Sequence, residues 1–109
     1  IGDGSMMYSP QALWTAVQKR LPLADVVVNK GGYGAMRSFS PVLQTRDVPG
    51  VDLPGLDFVS LARGMGCPGA RVTRAEELDD ALAAAMRSTG PTLVEAAVDA
   101  AVPTLYARP

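Results

Sequence analysis

Two glycine-rich turns, separated by a helical stretch and a strand, constrain this chain more than any other feature. The first turn is Gly2-Asp3-Gly4-Ser5, and the second is Asn29-Lys30-Gly31-Gly32-Tyr33-Gly34, directly after the apolar run Val26–Val28. A continuous β-branched run is typical of a buried parallel strand. We therefore predict turn, helix, strand and turn, with both turns at the sheet edge where open α/β folds bind ligands.

Asp3 gives the first turn its chemistry. Gly2 and Gly4 let the backbone approach a ligand closely, and the N–H groups that open the following helix favour a phosphate. A carboxylate would repel a bare phosphate, but a divalent cation between them would take oxygen ligands from both. The second turn has carbonyl groups for the same cation. Gly-Asp-Gly is by itself a common turn, so the prediction depends on the two turns together.

The composition indicates one globular domain and excludes several classes of function. The chain has 109 residues, of which 48% are hydrophobic and 19% charged, and its net charge is −1. This charge balance predicts neither nucleic acid nor a membrane as a partner. The single cysteine, Cys67, excludes an internal disulfide and favours a cytoplasmic location. The chain has no histidine, which removes the commonest general base, so we assign no catalytic residue.

Local sequence signals predict the helices and loops in the first half of the chain. Ser9 as N-cap and Pro10 as first helical residue predict a helix that ends at Leu21-Pro22. The segment from Gly34 to Gly55 is rich in proline and glycine, which predicts mostly loop with a short helix at Ala35–Phe39.

The second half of the chain predicts two more helices and two more strands. Asp57 is a candidate N-cap for a helix at Phe58–Arg63, and a short strand is expected at Ala70–Val72. Thr73–Glu76 has the spacing of a capping box, which predicts a helix to about Ser88 that buries Leu78, Leu82 and Met86. Thr92–Val98 is the last predicted strand, and Glu95 is expected at a sheet edge or paired with a neighbour. We expect one domain over residues 1–99 and a C-terminal tail over 100–109.

The two turns together resemble the thiamine-diphosphate motif, which is Gly-Asp-Gly, some two dozen residues, and then Asn-Asn. Further stretches resemble benzoylformate decarboxylase-like enzymes: Tyr8-Ser9, Ala12–Ala16, Tyr33-Gly34-Ala35, Val48-Pro49-Gly50, Asp57-Phe58 and Gly90–Glu95. The resemblance implies the three-layer, parallel-sheet α/β domain that binds thiamine diphosphate. Only Ile1 precedes the first turn, so we expect the domain to be incomplete at its N-terminal strand and the chain to be the C-terminal part of a longer enzyme.

The resemblance also implies a Mg²⁺ site. In the family, the Asp of Gly-Asp-Gly, the second Asn and the carbonyl two residues later bind the metal, and these positions are Asp3, Lys30 and Gly32. A lysine ammonium has no acceptor and cannot bind Mg²⁺. Asn29 could replace it after a small shift of the turn, the Lys30 ammonium could itself lie against the diphosphate, or the site could be weakened or lost. The plain alternative is that Lys30 points into solvent; we favour impaired or altered metal binding.

The resemblance implies which residues meet the cofactor and substrate. The cofactor-binding set is Gly2, Asp3, Gly4, Ser5, Tyr33, Gly34 and Ala35, and the metal set is Asp3, Asn29, Lys30 and Gly32. In related enzymes the start of the segment after Gly34 lines the substrate pocket. The matching apolar residues are Ala35, Met36 and Phe39, and packing of loop on domain is an equal alternative for them.

The implied activity is decarboxylation of a 2-oxo acid with thiamine diphosphate and Mg²⁺. In such enzymes a glutamate from another domain, usually of a partner subunit, activates the cofactor, so we expect a homodimer or homotetramer and no turnover by this segment alone. One alternative is an acetolactate synthase-like carboligase. Others are a non-catalytic structural or assembly domain with a degenerate metal site, and a general α/β phosphate binder.

Overall fold

The structure is a computed structural model that describes residues 1–101. One or two helices separate successive strands along the chain, as expected for an α/β fold. In chain order they are α1 (Asp3–Met6), α2 (Ala12–Gln18), β1 (Ala24–Asn29), α3 (Gly34–Leu43), α4 (Phe58–Gly64), β2 (Gly69–Val72), α5 (Leu78–Met86) and β3 (Thr92–Ala97).

The three strands form one parallel sheet in the order β1-β3-β2. The last strand of the sequence is therefore the central one, which explains why Leu93 and Val94 are almost completely buried. On the outer side of β1, Gly2 forms a parallel bridge with Val28. The Val28 N–H donates to the Ile1 carbonyl at 2.8 Å. The first turn therefore begins at the sheet, beside the end of β1.

Helices cover both faces of the sheet, which confirms the predicted three layers. One face carries the larger core, formed by Met6, Leu13, Val27, Phe58, Val59, Ala62, Cys67 and Leu93. The opposite face packs on α5 through Val72, Ala85 and Val94, with Leu78 and Ala81 beside them. Neighbouring residues of β3 belong to different cores because successive side chains of a strand point to opposite faces.

The predicted start of the first helix is wrong in two respects. A short helix, α1, already begins at Asp3, and regular α-helix resumes only at Ala12, without a side-chain cap. The Ser9 and Pro10 carbonyls accept from Ala12 N and Leu13 N at 3.1 Å each. These i to i+3 bonds form a tight turn, so Ser9 takes part through its carbonyl group.

The helix after the second turn is longer than predicted. α3 continues to Leu43 and contains Pro41. Pro41 has no N–H to donate to the Arg37 carbonyl, so the helix lacks one backbone hydrogen bond at this position. The helix ends at Gln44, which adopts a left-handed conformation with φ of 55°.

The capping box at Thr73–Glu76 is also a wrong prediction. The chain makes a 3-10 turn at Ala75–Glu77 and enters α5 at Leu78, with no side-chain cap. Met86 is 76% exposed, whereas Ala81 and Ala85 pack on the sheet. The α-helix begins later than the capping box implied. Its buried side contains Leu78, as predicted, together with Ala81 and Ala85, but not Met86.

Other local predictions are confirmed. The Asp57 carboxylate accepts from Ser60 N at 2.9 Å and caps α4. Cys67 is buried, and burial raises the pKa of its thiol, which suits packing rather than nucleophilic attack. Within residues 1–101 no helix is long and apolar enough to cross a membrane. The predicted tail lies mostly outside the described residues, and the proposed boundary at 99 stays a prediction.

Candidate functional site

The two glycine-rich turns meet at the carboxyl end of β1. The Gly32 N–H donates to Asp3 Oδ2 at 2.7 Å, across 29 residues of sequence. Asp3 is only 1% exposed. A charge-assisted bond from a backbone N–H to a buried carboxylate is among the stronger hydrogen bonds, so it fixes the first turn against the second.

The other oxygen of Asp3 has no partner in the part of the chain that the structure describes. Asp3 Oδ1 is buried and makes no hydrogen bond within the described residues. A buried carboxylate oxygen is costly unless it is paired with a donor or coordinates a metal. The arrangement therefore fits a cation at Oδ1. No three His, Cys, Asp or Glu side chains of residues 1–101 cluster as a metal site, so backbone and ligand oxygens would have to complete the coordination.

A cleft of about 200 Å³ opens beside Asp3. Every residue of the predicted cofactor-binding set lines it, and so do Tyr8, Lys30, Gly32 and Met36. The cleft receives the first turns of α1 and α3, whose leading backbone N–H groups have no acceptor within their own helices. Two helix starts that converge on one cleft favour an anionic ligand such as a phosphate.

Tyr33 closes one wall of the cleft by packing on Gly4. A Cβ atom added to Gly4 would lie 2.5 Å from Tyr33 Cδ1. Glycine is required there because the aromatic ring occupies the space of a side chain. Tyr8 extends this wall, with its ring centroid 6.4 Å from that of Tyr33. The sequence predicted Tyr33 at the site but not Tyr8; the signal was its position four residues after Gly4, one helical turn along.

Asn29 organises the second turn from outside the cleft. Its side-chain Oδ1 accepts from Gly31 N at 3.0 Å, and its Nδ2 donates to Glu95 Oε1 at 2.8 Å. Gly31 has a positive φ of 74°, which glycine adopts without strain. Asn29 is not among the residues that line the cleft. Both ends of its amide are thus already engaged, and its predicted metal role stays a proposal.

Arg37 holds the loop after α3 against the second turn. Its guanidinium donates to the Gly31 carbonyl at 3.1 Å and forms an ion pair with Asp52. Backbone bonds reinforce this contact, because Tyr33 N donates to Val51 O at 2.8 Å and Leu53 N donates to Gly31 O at 3.0 Å. Arg37 and its loop are contributors that sequence reasoning missed, since the contact spans a segment with no regular pattern.

Lys30 lies inside the cleft. Its side chain packs over Gly34, and a Cβ added to Gly34 would lie 2.8 Å from Lys30 Nζ. Lys30 is half-buried and lines the cleft together with Asp3. The ammonium therefore stands beside the first residue of α3, which does not fit the alternative that Lys30 simply points into solvent.

Two of the three predicted substrate-pocket residues reach the cleft. Ala35 and Met36 line it, and Met36 is 53% exposed. Phe39 lies one turn further along α3 and is not among the lining residues. The apolar wall is therefore formed by the first turn of α3.

Glu95 is the buried polar residue that connects the site to the rest of the sheet. It is 2% exposed on the central strand. Besides the bond from Asn29, its Oε2 accepts from Arg71 Nη2 at 3.0 Å and from Arg71 Nε at 3.2 Å. Arg71 Nη2 also donates to Asp57 Oδ1 at 3.0 Å. Of the two positions expected for Glu95, the pairing with a neighbour is confirmed.

A parallel α/β sheet with an acidic glycine turn and a cleft at the carboxyl end of a strand has the arrangement in which open α/β domains bind ligands. Residues 1–96 match the C-terminal thiamine pyrophosphate (TPP) binding domain of thiamine pyrophosphate enzymes. The chain belongs to this family, which confirms the resemblance.

Relatives and solved structures agree with this family. The chain is 45% identical over 95 residues to benzoylformate decarboxylase of Pseudomonas aeruginosa, and the match covers 87% of this chain and 18% of that protein. It is 32% identical over 98 residues to acetolactate synthase of Bacillus subtilis, over 90% of this chain and 17% of that protein. The chain therefore spans about a fifth of the length of these relatives.

Two solved structures with a similar fold are decarboxylases. A thiamine diphosphate-dependent 4-hydroxybenzoylformate decarboxylase from Rhodococcus jostii superposes with a TM-score of 0.89 at 44% identity, over 91% of this chain and 19% of that one. Benzoylformate decarboxylase from Polynucleobacter necessarius gives a TM-score of 0.93 at 33% identity, and the match covers 96% of this chain and 20% of that one. The fold is thus that of the cofactor-binding domain in these enzymes.

Proposed function

We propose that this chain anchors the diphosphate of thiamine diphosphate in a 2-oxo-acid decarboxylase of the benzoylformate decarboxylase type. The observation that carries the proposal is the unpartnered, buried Asp3 Oδ1 at the edge of a cleft that receives two helix starts. A carboxylate oxygen in that position needs a hydrogen-bond donor or a cation, and a diphosphate at the helix starts would supply further oxygens for a cation placed there.

The residues of the cleft have distinct tasks. Where Mg²⁺ is bound, its protein ligands would be Asp3 Oδ1 and the Gly32 carbonyl, which also accepts from Gly34 N at 3.0 Å. The backbone N–H groups of Gly4, Ser5 and Ala35 would donate to phosphate oxygens, and Tyr33 would shield them from water. Bound thiamine diphosphate supplies the electron sink for loss of CO₂, and the protein binds and orients it.

The substrate side of the proposal depends on Ala35 and Met36. Their apolar side chains form the wall next to the proposed diphosphate position. Such a wall suits an aromatic or branched 2-oxo acid. We propose that the remaining groups of the active site come from other domains and from a partner subunit, in a homodimer or homotetramer.

Calorimetric titration of thiamine diphosphate, with and without Mg²⁺, into the longest natural chain that contains this sequence tests the proposal. We expect saturable binding, and at a hundred times the dissociation constant a stabilisation of about 2.7 kcal/mol. A folded protein that binds no thiamine diphosphate under either condition contradicts the proposal and favours a structural or assembly role.

Acetolactate synthase-like carboligation is the second candidate, because the chain is also related to acetolactate synthases. Product analysis separates the two. Benzaldehyde and CO₂ from benzoylformate indicate the decarboxylase, whereas acetolactate from pyruvate indicates the carboligase. The higher identity to benzoylformate decarboxylase favours the first outcome.

A further inference from the structure

Lys30 occupies a place in the cleft where a cation is electrostatically unfavourable. Its Nζ lies beside Gly34, the first residue of the ten-residue helix α3. The start of a helix carries a partial positive charge, which disfavours a neighbouring cation and favours an anion. A half-buried ammonium in this position is therefore suited to a ligand that brings negative charge.

The described part of the chain gives this ammonium no counter-charge. Four ion pairs occur among residues 1–101, and none includes Lys30. Asp3 lines the same cleft, but the two side chains form no ion pair. Within residues 1–101, the Lys30 ammonium and Asp3 Oδ1 thus line one cleft, and neither has an ion-pair or hydrogen-bond partner there.

Asn29, the other candidate side chain for a metal site, already has hydrogen-bond partners. Asn29 accepts from Gly31 N through Oδ1 and donates to Glu95 through Nδ2. For Oδ1 to become a metal ligand, the turn would have to loosen or Oδ1 would have to serve both partners. Asp3 is the one acidic residue among those that line the cleft. Its Oδ1 makes no hydrogen bond within residues 1–101.

We propose that the Lys30 ammonium bridges Asp3 Oδ1 and the cofactor diphosphate, so that thiamine diphosphate binds with little dependence on a divalent cation. This inference rests on the proposed function. Lysine is a compact charge on a flexible four-carbon stem with three donors. One donor can satisfy Asp3 Oδ1 while the others contact phosphate oxygens, which is the bridging task that a divalent cation performs between two sets of oxygens.

The test measures thiamine diphosphate affinity by calorimetry in excess EDTA and in excess Mg²⁺, in the longest natural chain that contains this sequence. For the unmodified protein we expect the two affinities to differ by less than about 10-fold, or about 1.4 kcal/mol. Lys30→Met removes the ammonium, and we expect it to weaken binding in EDTA at least about 100-fold, or about 2.7 kcal/mol. Lys30→Asn supplies an amide oxygen, and we expect it to bind tightly only with Mg²⁺.

Lys19→Met is the matched control, because Lys19 is the other lysine of the chain and lies exposed at the end of α2. We expect it to bind as the unmodified protein does in both buffers. Circular dichroism melting of each variant confirms that the fold is retained.

The outcomes separate the inference from the proposed function. If the unmodified protein loses binding in EDTA as completely as Lys30→Asn does, or if Lys30→Met binds normally in EDTA, Lys30 does not replace the metal. The cofactor assignment survives either result. If no folded variant binds thiamine diphosphate in either buffer, the proposed function itself fails.

Discussion

Two carboxylates of this protein are equally buried but have opposite surroundings. Asp3 and Glu95 are 1% and 2% exposed. Glu95 has partners at both oxygens, from Asn29 and Arg71, whereas Asp3 has a partner at Oδ2 alone. Since an unpaired buried charge is costly, the complete set marks a residue that supports the fold. The incomplete set at Asp3 is what the proposed cation site requires.

The largest expected effect is on cofactor binding by Asp3→Asn. Asparagine keeps an acceptor for Gly32 N but removes the charge that a cation needs. We expect thiamine diphosphate affinity to fall at least about 100-fold, or about 2.7 kcal/mol, in the longest natural chain. The melting temperature without cofactor should not fall, because the substitution also removes a buried charge.

Asp47→Asn is the matched control for this substitution, because Asp47 is exposed and lies outside the cleft lining. Asp47→Asn should change neither the affinity for thiamine diphosphate nor the melting temperature without cofactor. A large loss of stability without cofactor in Asp3→Asn would contradict the comparison, since Asp3 would then be a fold-supporting residue like Glu95.

Glu95→Ala should lower the stability of the fold without cofactor, whereas Asp3→Asn should not. It leaves Asn29 Nδ2 without its acceptor and Arg71 without its buried partner. A buried group that loses its hydrogen bond costs about 1–3 kcal/mol, so we expect the free energy of unfolding to fall by about 2 kcal/mol, measured by urea denaturation without cofactor.

Glu95→Gln is the conservative control, because a glutamine carbonyl can still accept from Asn29. It should lose clearly less stability than Glu95→Ala. Equal losses in the two variants would mean that the ion pair with Arg71, rather than the bond to Asn29, carries the effect of Glu95.

The smallest expected effect concerns the exposed end of the Glu95 network. The pKa of Asp57 is lowered from its ordinary value of 3.8 by the backbone and hydroxyl bonds from Ser60, with Arg71 as a further cause. A lowered pKa contributes stability above the ordinary value, and this contribution is lost as the pH falls through the folded value. Asp57→Asn should therefore melt slightly lower than the unmodified protein at pH 7 and equally at pH 2. A difference that persists at pH 2 would contradict a charge-based role.

The sequence predicted elements whose signals are local. The Asp57 cap, the strands at Val26–Val28 and Ala70–Val72, and the cofactor-binding turns are confirmed as local structure, because each depends on a few adjacent residues. The capping box at Thr73–Glu76 failed although its pattern was present: the chain forms a 3-10 turn at Ala75–Glu77, and α5 begins only at Leu78, which packs on the sheet.

Sequence reasoning left the role of Glu95 undecided, because the order of strands in a sheet depends on long-range contacts. Only the order β1-β3-β2 places it between Asn29 and Arg71. The position of Lys30 was likewise undecided. Its departure from the motif was visible in the sequence, but its placement over Gly34 required the start of α3 to fold back on the second turn.

By itself, the sequence determined that this protein is an α/β domain with an acidic glycine turn and a second glycine-rich turn after a strand, because β-branched runs and glycines act on their own neighbourhood. The tertiary structure alone decided which oxygen of Asp3 is satisfied, and that Lys30 lies in the same cleft without an ion pair to any of residues 1–101. Both facts depend on contacts between segments about 30 residues apart in sequence, which local propensities do not specify.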